Sequence, residues 1–106
     1  MDIYQVLGEV GLTKKEGEIY TSLLQYGPLS TLALSRQTKI HRPALYKSID
    51  DLIDKGILRS TIQGNRKKFF AVPPQQLVNY IKRKEHLLES SLSLFTAFIH
   101  TKNEKP

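Results

Sequence analysis

At 106 residues the chain has room for one compact domain, and its 40% hydrophobic and 25% charged fractions are those of an ordinary globular protein. Sixteen Lys and Arg against ten Asp and Glu leave a net charge of +6, a balance that favours a polyanionic partner, with nucleic acid ahead of an anionic membrane surface. The absence of cysteine excludes disulfides and thiolate metal sites, and no apolar run has the length of a membrane span.

The N-terminal stretch MDIYQVLGEVGL has neither a basic n-region nor a continuous apolar core. It does not read as a signal peptide, and a cytoplasmic protein is expected. Ile3, Val6, Leu7 and Val10 fall at helical spacing and predict a short helix that Gly11 ends. Thr13-Lys-Lys-Glu16 has the form of a capping box. The helix it opens carries Ile19, Tyr20, Leu23 and Leu24 on one face and stops at Gly27-Pro28. Ser30 is the expected N-cap of a shorter helix through Leu32, Ala33, Leu34 and Gln37. Thr38-Lys39-Ile40-His41 connects it to a helix from about Arg42 to Lys55, with Pro43 in the first turn and Gly56 at the C′ position. Leu45, Ile49, Leu52 and Ile53 form the apolar stripe of that helix.

The period then changes from 3.6 to 2. Residues 57–62 and 67–72 are β-prone runs around Gln63-Gly64-Asn65-Arg66, which predicts a hairpin with a basic tip. Pro73-Pro74 closes it, and a long helix follows from Gln75 to about Ile99. The polar tail 100–106 is expected to be flexible. The fold class expected is mainly α with a small β-hairpin (α+β). It divides into a winged helix-turn-helix over 1–74, a dimerisation helix over 75–99 and the tail.

In a winged helix-turn-helix, the last of the three helices offers its N-terminal half to the major groove, and the wing supplies cations to phosphates or the minor groove. The residues suit those tasks. Arg42 can bond a guanine edge, Ala44 can touch a thymine methyl, and Tyr46 and Lys47 can reach the backbone or bases. Ser30 and Thr31 at a helix start, Arg36, Lys39, His41 and Pro43 around the turn, and Asn65, Arg66, Lys67 and Lys68 at the wing complete the candidate DNA-binding set. Between Arg36 and Lys68 there are nine cations against Asp50, Asp51 and Asp54, a surplus equal to the net charge of the whole chain. Neutralising six to ten phosphates would cost ~10³–10⁵ in affinity between 50 and 200 mM salt.

Val10-Gly-Leu-Thr-Lys-Lys-Glu-Gly-Glu-Ile-Tyr20, Leu23-Leu-Gln-Tyr-Gly-Pro28, Arg42-Pro-Ala-Leu-Tyr-Lys-Ser-Ile-Asp-Asp-Leu52, Asp54-Lys-Gly-Ile-Leu58 and Phe70-Ala-Val-Pro-Pro74 together resemble the DNA-binding domain of TrmB-type transcriptional regulators. The resemblance covers residues 6 to 84. It implies operator binding through the helix at 42–55 and the wing at 63–68, and dimerisation through the helix after the wing. It does not extend to the sugar-binding effector domain of many TrmB relatives, so ligand sensing is not carried over and no small-molecule effector is evident.

In the last helix Val78, Ile81, Glu85, Leu88, Leu92, Phe95 and Ile99 follow alternating steps of three and four, a heptad seam broken only by Glu85. About 25 residues make a rod of ~37 Å, too long for one small domain to cover. A homodimer through Val78, Ile81, Leu88, Leu92, Phe95 and Ile99 is expected, with recognition helices ~34–36 Å apart on a pseudo-palindromic operator. His41, His86 and His100 lack carboxylate partners at metal-ligand spacing, and there is no phosphate-cradling glycine loop or nucleophile motif. No catalysis, metal or cofactor is expected. Two other functions remain open: a winged-helix protein-interaction module and a nonspecific architectural DNA binder.

Overall fold

Helix starts in this chain are written in short polar side chains that take up the amides of a first turn. In the computed structural model, which describes residues 1–103, Asp2 accepts from the Gln5 amide at 2.8 Å and Thr13 from the Glu16 amide at 3.1 Å. In both cases the third side chain of the helix reaches back to the cap residue, completing a capping box. Ser30 accepts from the Ala33 amide at 3.2 Å. These caps open α1 (Ile3–Glu9), α2 (Lys14–Tyr26) and α3 (Thr31–Thr38). The next helix, α4 (Arg42–Asp54), begins at His41 without a side-chain cap, and Pro43 sits in its first turn where no amide is needed.

Gly56 at φ 75° takes the left-handed conformation that ends α4 and turns the chain into β1 (Leu58–Gln63). β1 pairs antiparallel with β2 (Arg66–Ala71), in register from Leu58↔Ala71 to Gln63↔Arg66. The loop is therefore only Gly64-Asn65, tighter than the four-residue tip expected from sequence. Positive φ at Gly64 and not at Asn65 is the type II′ pattern, which matches strand twist. A feature that no periodicity announces ties the hairpin down: Leu29 and Phe69 exchange backbone hydrogen bonds at 3.0 and 2.8 Å, docking the approach to α3 on the wing.

One core gathers Ile19, Tyr20 and Leu23 of α2, Leu34 of α3, Leu45, Ile49 and Leu52 of α4, and Ile57, Leu58 and Phe69 around the hairpin. Leu24 and Ile53, expected on the buried stripes, are exposed at their edges. The Tyr20 hydroxyl donates to the Val72 carbonyl at 2.9 Å, and burial pushes its phenol above the ordinary value. Glu16 is only 2% exposed. It accepts from Lys55 Nζ at 2.7 and 3.0 Å and from the Thr13 amide at 2.8 Å, so a buried carboxylate is fully answered.

The helix expected to run unbroken over 75–99 is divided. α5 (Gln75–Ser90) and α6 (Leu92–Asn103) meet at Ser91, whose φ of −103° and ψ of 2° leave the helical region. The serine pair explains the break. Ser90 Oγ donates to the Leu87 carbonyl at 3.0 Å, and the Ser91 and Leu94 amides each bond three residues back instead of four. Of the tail expected to be flexible over 100–106, the helical ladder of α6 takes in His100 to Asn103, and 104–106 lie outside the described residues. Tyr80 is the last buried residue, and from Lys82 to Thr101 only Ser91 is even half-buried. The described chain measures 62 × 30 × 28 Å, a winged helix-turn-helix with a bent rod projecting from it.

Lys55→Met should lower stability to urea by roughly 2–4 kcal/mol, because it leaves the Glu16 carboxylate buried without its cation. The figure lies below the full cost of breaking a buried pair since Lys55 keeps 25% of its side chain in water. Adding Glu16→Gln to that variant should recover part of the loss, a coupling read from a double-mutant cycle.

Candidate nucleic-acid interface

The core fixes which face of α4 looks outward. Leu45, Ser48, Ile49 and Leu52 are buried, so Arg42, Pro43, Tyr46, Lys47 and Asp50 project into solvent. Tyr46, at 44% exposure, belongs to this outer face and not to the core beside its neighbour Leu45. Ala44 is placed differently. It is half-buried against the core and shares a shallow depression with Lys14, Lys15, Lys47, Ser48 and Asp51. Lys47 Nζ lies 3.1 Å from Asp51, an exposed pair one turn apart and worth only a few tenths of a kcal/mol, so a phosphate can displace it.

The turn before α4 is held by its own side chains. Thr38 Oγ1 donates to the Leu34 carbonyl at 2.7 Å and accepts from the Ile40 amide at 3.3 Å, and Ser35 Oγ donates to the Ile40 carbonyl at 3.1 Å. Ile40 is buried by this arrangement, while Lys39 sits at φ 60° in the left-handed region that a side chain adopts only at a cost. Lys39, Arg36, His41 and Arg42 are all exposed around that corner. Ser30 and Thr31 are half-buried at the start of α3, next to the Leu29–Phe69 bridge.

Strand alternation divides the basic run of the wing between two faces. Arg66 and Lys68 share one face with Arg59, Thr61, Gln63 and Phe70; Lys67 shares the other with Leu58, Ser60, Ile62, Phe69 and Ala71. The second face is the core side, since Leu58 and Phe69 are buried. Lys67 extends back along it, its Nζ 5.5 Å from the centroid of the Phe69 ring. Arg66, Lys68 and Arg59 therefore share the face turned away from the core, Arg66 and Arg59 exposed and Lys68 half-buried, while Lys67 stays exposed on the other face and Asn65 is exposed at the tip.

Three contributions escaped the sequence. Lys55, one of the nine cations between Arg36 and Lys68, is engaged by Glu16 and adds nothing to an outer surface. Arg59 joins the wing cations through register alone. Lys14 and Lys15, thirty residues away in sequence, reach the flank of α4 because α2 packs against it.

The rod places the expected seam residues in two groups. Ile81 packs against the core of its own domain, whereas Val78, Leu88, Leu92, Phe95 and Ile99 are exposed by 45–57%. Leu87, Leu88, Leu94, Phe95 and Phe98 line an open apolar groove beside Ser91, with Lys84 at its end. Among the described residues no cluster of His, Asp or Glu is placed to hold a metal ion, and no helix is long and apolar enough to cross a membrane.

Residues 7–75 match the family described as sugar-specific transcriptional regulator TrmB. The uncharacterized protein YrhO of Bacillus subtilis is 24% identical over 106 residues, which is 98% of this chain and 38% of YrhO. The archaeal chromatin protein TrmBL2 superposes with a TM-score of 0.77 at 19% identity, covering 96% of this chain and 40% of TrmBL2. The transcriptional regulator PA4135 superposes with a TM-score of 0.60 at 20% identity, covering 96% of this chain and 85% of that one. The chain thus spans about two-fifths of the length of YrhO and of TrmBL2, and the likeness to the two solved structures is one of fold. On the family match, which takes in α2, α3, α4 and the wing, the chain belongs to the TrmB family of winged-helix, DNA-binding transcriptional regulators and not to a family of enzymes.

Proposed function

We propose that the chain acts in the cytoplasm as a homodimer that reads a pseudo-palindromic duplex, with α4 in the major groove and the wing on the backbone or minor groove. The observation that carries this reading is the placement of charge. Arg36, Lys39, Arg42 and Lys47 around the start of α4, and Arg59, Arg66 and Lys67 on the wing, are exposed on two adjacent elements, with Lys68 half-buried beside them, while Lys55, engaged by Glu16, lies at the far end of α4. The N-terminus of α4 adds its own partial positive charge toward a phosphate.

The dimer part of the reading is supported by the rod. α6 carries no Asp, Glu, Lys or Arg from Leu92 to Thr101, and Leu94, Phe95 and Phe98 are 54–71% exposed. A helix of that composition is covered in its working state. A second copy of the rod covers it with matching chemistry and gives two recognition helices related by a two-fold axis.

TrmBL2 is described as a chromatin protein with a novel mode of DNA binding, which favours one competing reading: a binder indifferent to sequence. Selection from a random duplex pool at about 150 mM salt separates the two. The proposal expects an enriched inverted repeat that is lost or altered when Arg42 and Lys47 are changed to alanine. Recovery of no motif, with all duplexes competing equally, would leave the architectural reading in its place.

Arg66→Ala and Lys68→Ala should each weaken binding evenly across sequences and reduce the slope of log affinity against log salt by about 1. Lys67→Ala should change the slope less, because its ammonium leans over Phe69. Fluorescence anisotropy across a salt series reads all three.

A further inference from the structure

The wing carries one side chain that neither the core nor the outward cations account for. Ile62 is 67% exposed, more than any other large apolar side chain from Ile3 to Val78. It lies on the core-side face of the hairpin, in line with buried Leu58 but beyond the reach of the core, so the apolar face of the wing continues past the domain it packs on. Lys67, directly opposite on the ladder, extends toward Phe69 and leaves Ile62 uncovered. Gln63, Gly64, Asn65 and Arg66 frame it, with Lys68 on the reverse face.

An apolar tip among cations matches a surface with anionic rims and apolar walls. The DNA minor groove is such a surface: rows of phosphate border a groove about 6 Å wide whose walls are deoxyribose carbons and whose floor is base edges. We propose that Ile62 is the minor-groove contact of the wing, its branched side chain packing on sugar walls and opening the groove as apolar wedges do. Arg66 and Lys68 remain on the phosphates. The inference rests on the DNA-binding function proposed above and names the groove and the residue through which the wing acts.

The two kinds of contact separate by salt dependence, because losing an apolar contact releases no counterion. The probe is a labelled mixed-sequence duplex of about 30 base pairs, long enough for two half-sites. Ile62→Thr keeps the β-branched shape that suits a strand, so weakened binding in that variant does not come from a lost hairpin. Ile62→Thr should bind about tenfold more weakly with the salt slope unchanged, Ile62→Val should keep most of the affinity, and Arg66→Ala should lower the slope by about 1. A saturating minor-groove polyamide should abolish the difference between the unchanged chain and Ile62→Thr. Equal affinity of those two proteins, or a difference that persists with the polyamide present, overturns the inference. If the unchanged chain binds no duplex at any salt, the proposed DNA-binding function falls and takes this contact with it, an outcome distinct from binding that ignores Ile62.

Discussion

The Glu16 carboxylate sets the geometry on which the winged face depends. Buried in an apolar setting, it must be satisfied, and its partners come from two places: the Thr13 amide at the start of α2 and the Lys55 ammonium at the end of α4. One ion pair therefore joins segments 39 residues apart and pins the C-terminus of α4. Arg83 of α5 adds a long hydrogen bond of 3.4 Å to the Lys55 carbonyl at the same corner. With Leu45, Ile49 and Leu52 filling the core beneath, rolling α4 would expose them, and its outer face is Arg42, Pro43, Tyr46 and Lys47. Long, flexible cations on a fixed backbone can adapt to phosphates without moving the helix that carries them.

The wing obeys the same logic with a different period. Its base is locked by Leu58, Phe69 and the Leu29 bridge, and its tip is closed by two residues, so the ribbon is short and its register unambiguous. Register decides which cations act together. Three basic residues in sequence divide between two faces, Arg66 and the half-buried Lys68 on one and the exposed Lys67 beside Phe69 on the other, and Arg59 joins the first pair from the other strand.

Much of this was legible in the sequence because the signals were local. The Thr13–Glu16 box, the Ser30 cap, Pro43 and Gly56 each depend on a few adjacent residues, and each stands where its chemistry places it. What escaped depends on residues far apart. The Glu16–Lys55 pair withdraws a cation that counting had kept, and the packing of α2 brings Lys14 and Lys15 to α4. The break at Ser91 was hidden because the heptad spacing of apolar residues runs across it undisturbed, while the cause lies in hydroxyl and amide bonding at Ser90-Ser91. Ile81 fits the seam by spacing yet serves its own core, since only contact with Tyr80's surroundings distinguishes the two uses.

The rod and the winged face make separate demands: α6 of the rod is uncovered and free of Asp, Glu, Lys and Arg from Leu92 to Thr101, and the winged face is cationic and exposed. The proposed function gives each its own partner, a second copy for the first and duplex DNA for the second. Titrating a duplex into the ¹⁵N-labelled chain and following every backbone amide tests that division directly. Shifts are expected at Ser30–Thr31, Arg36–Lys47 and Ile62–Lys68, with Leu87–Ile99 unmoved. Shifts centred on Leu87–Ile99, with the start of α4 and the wing silent, would contradict it.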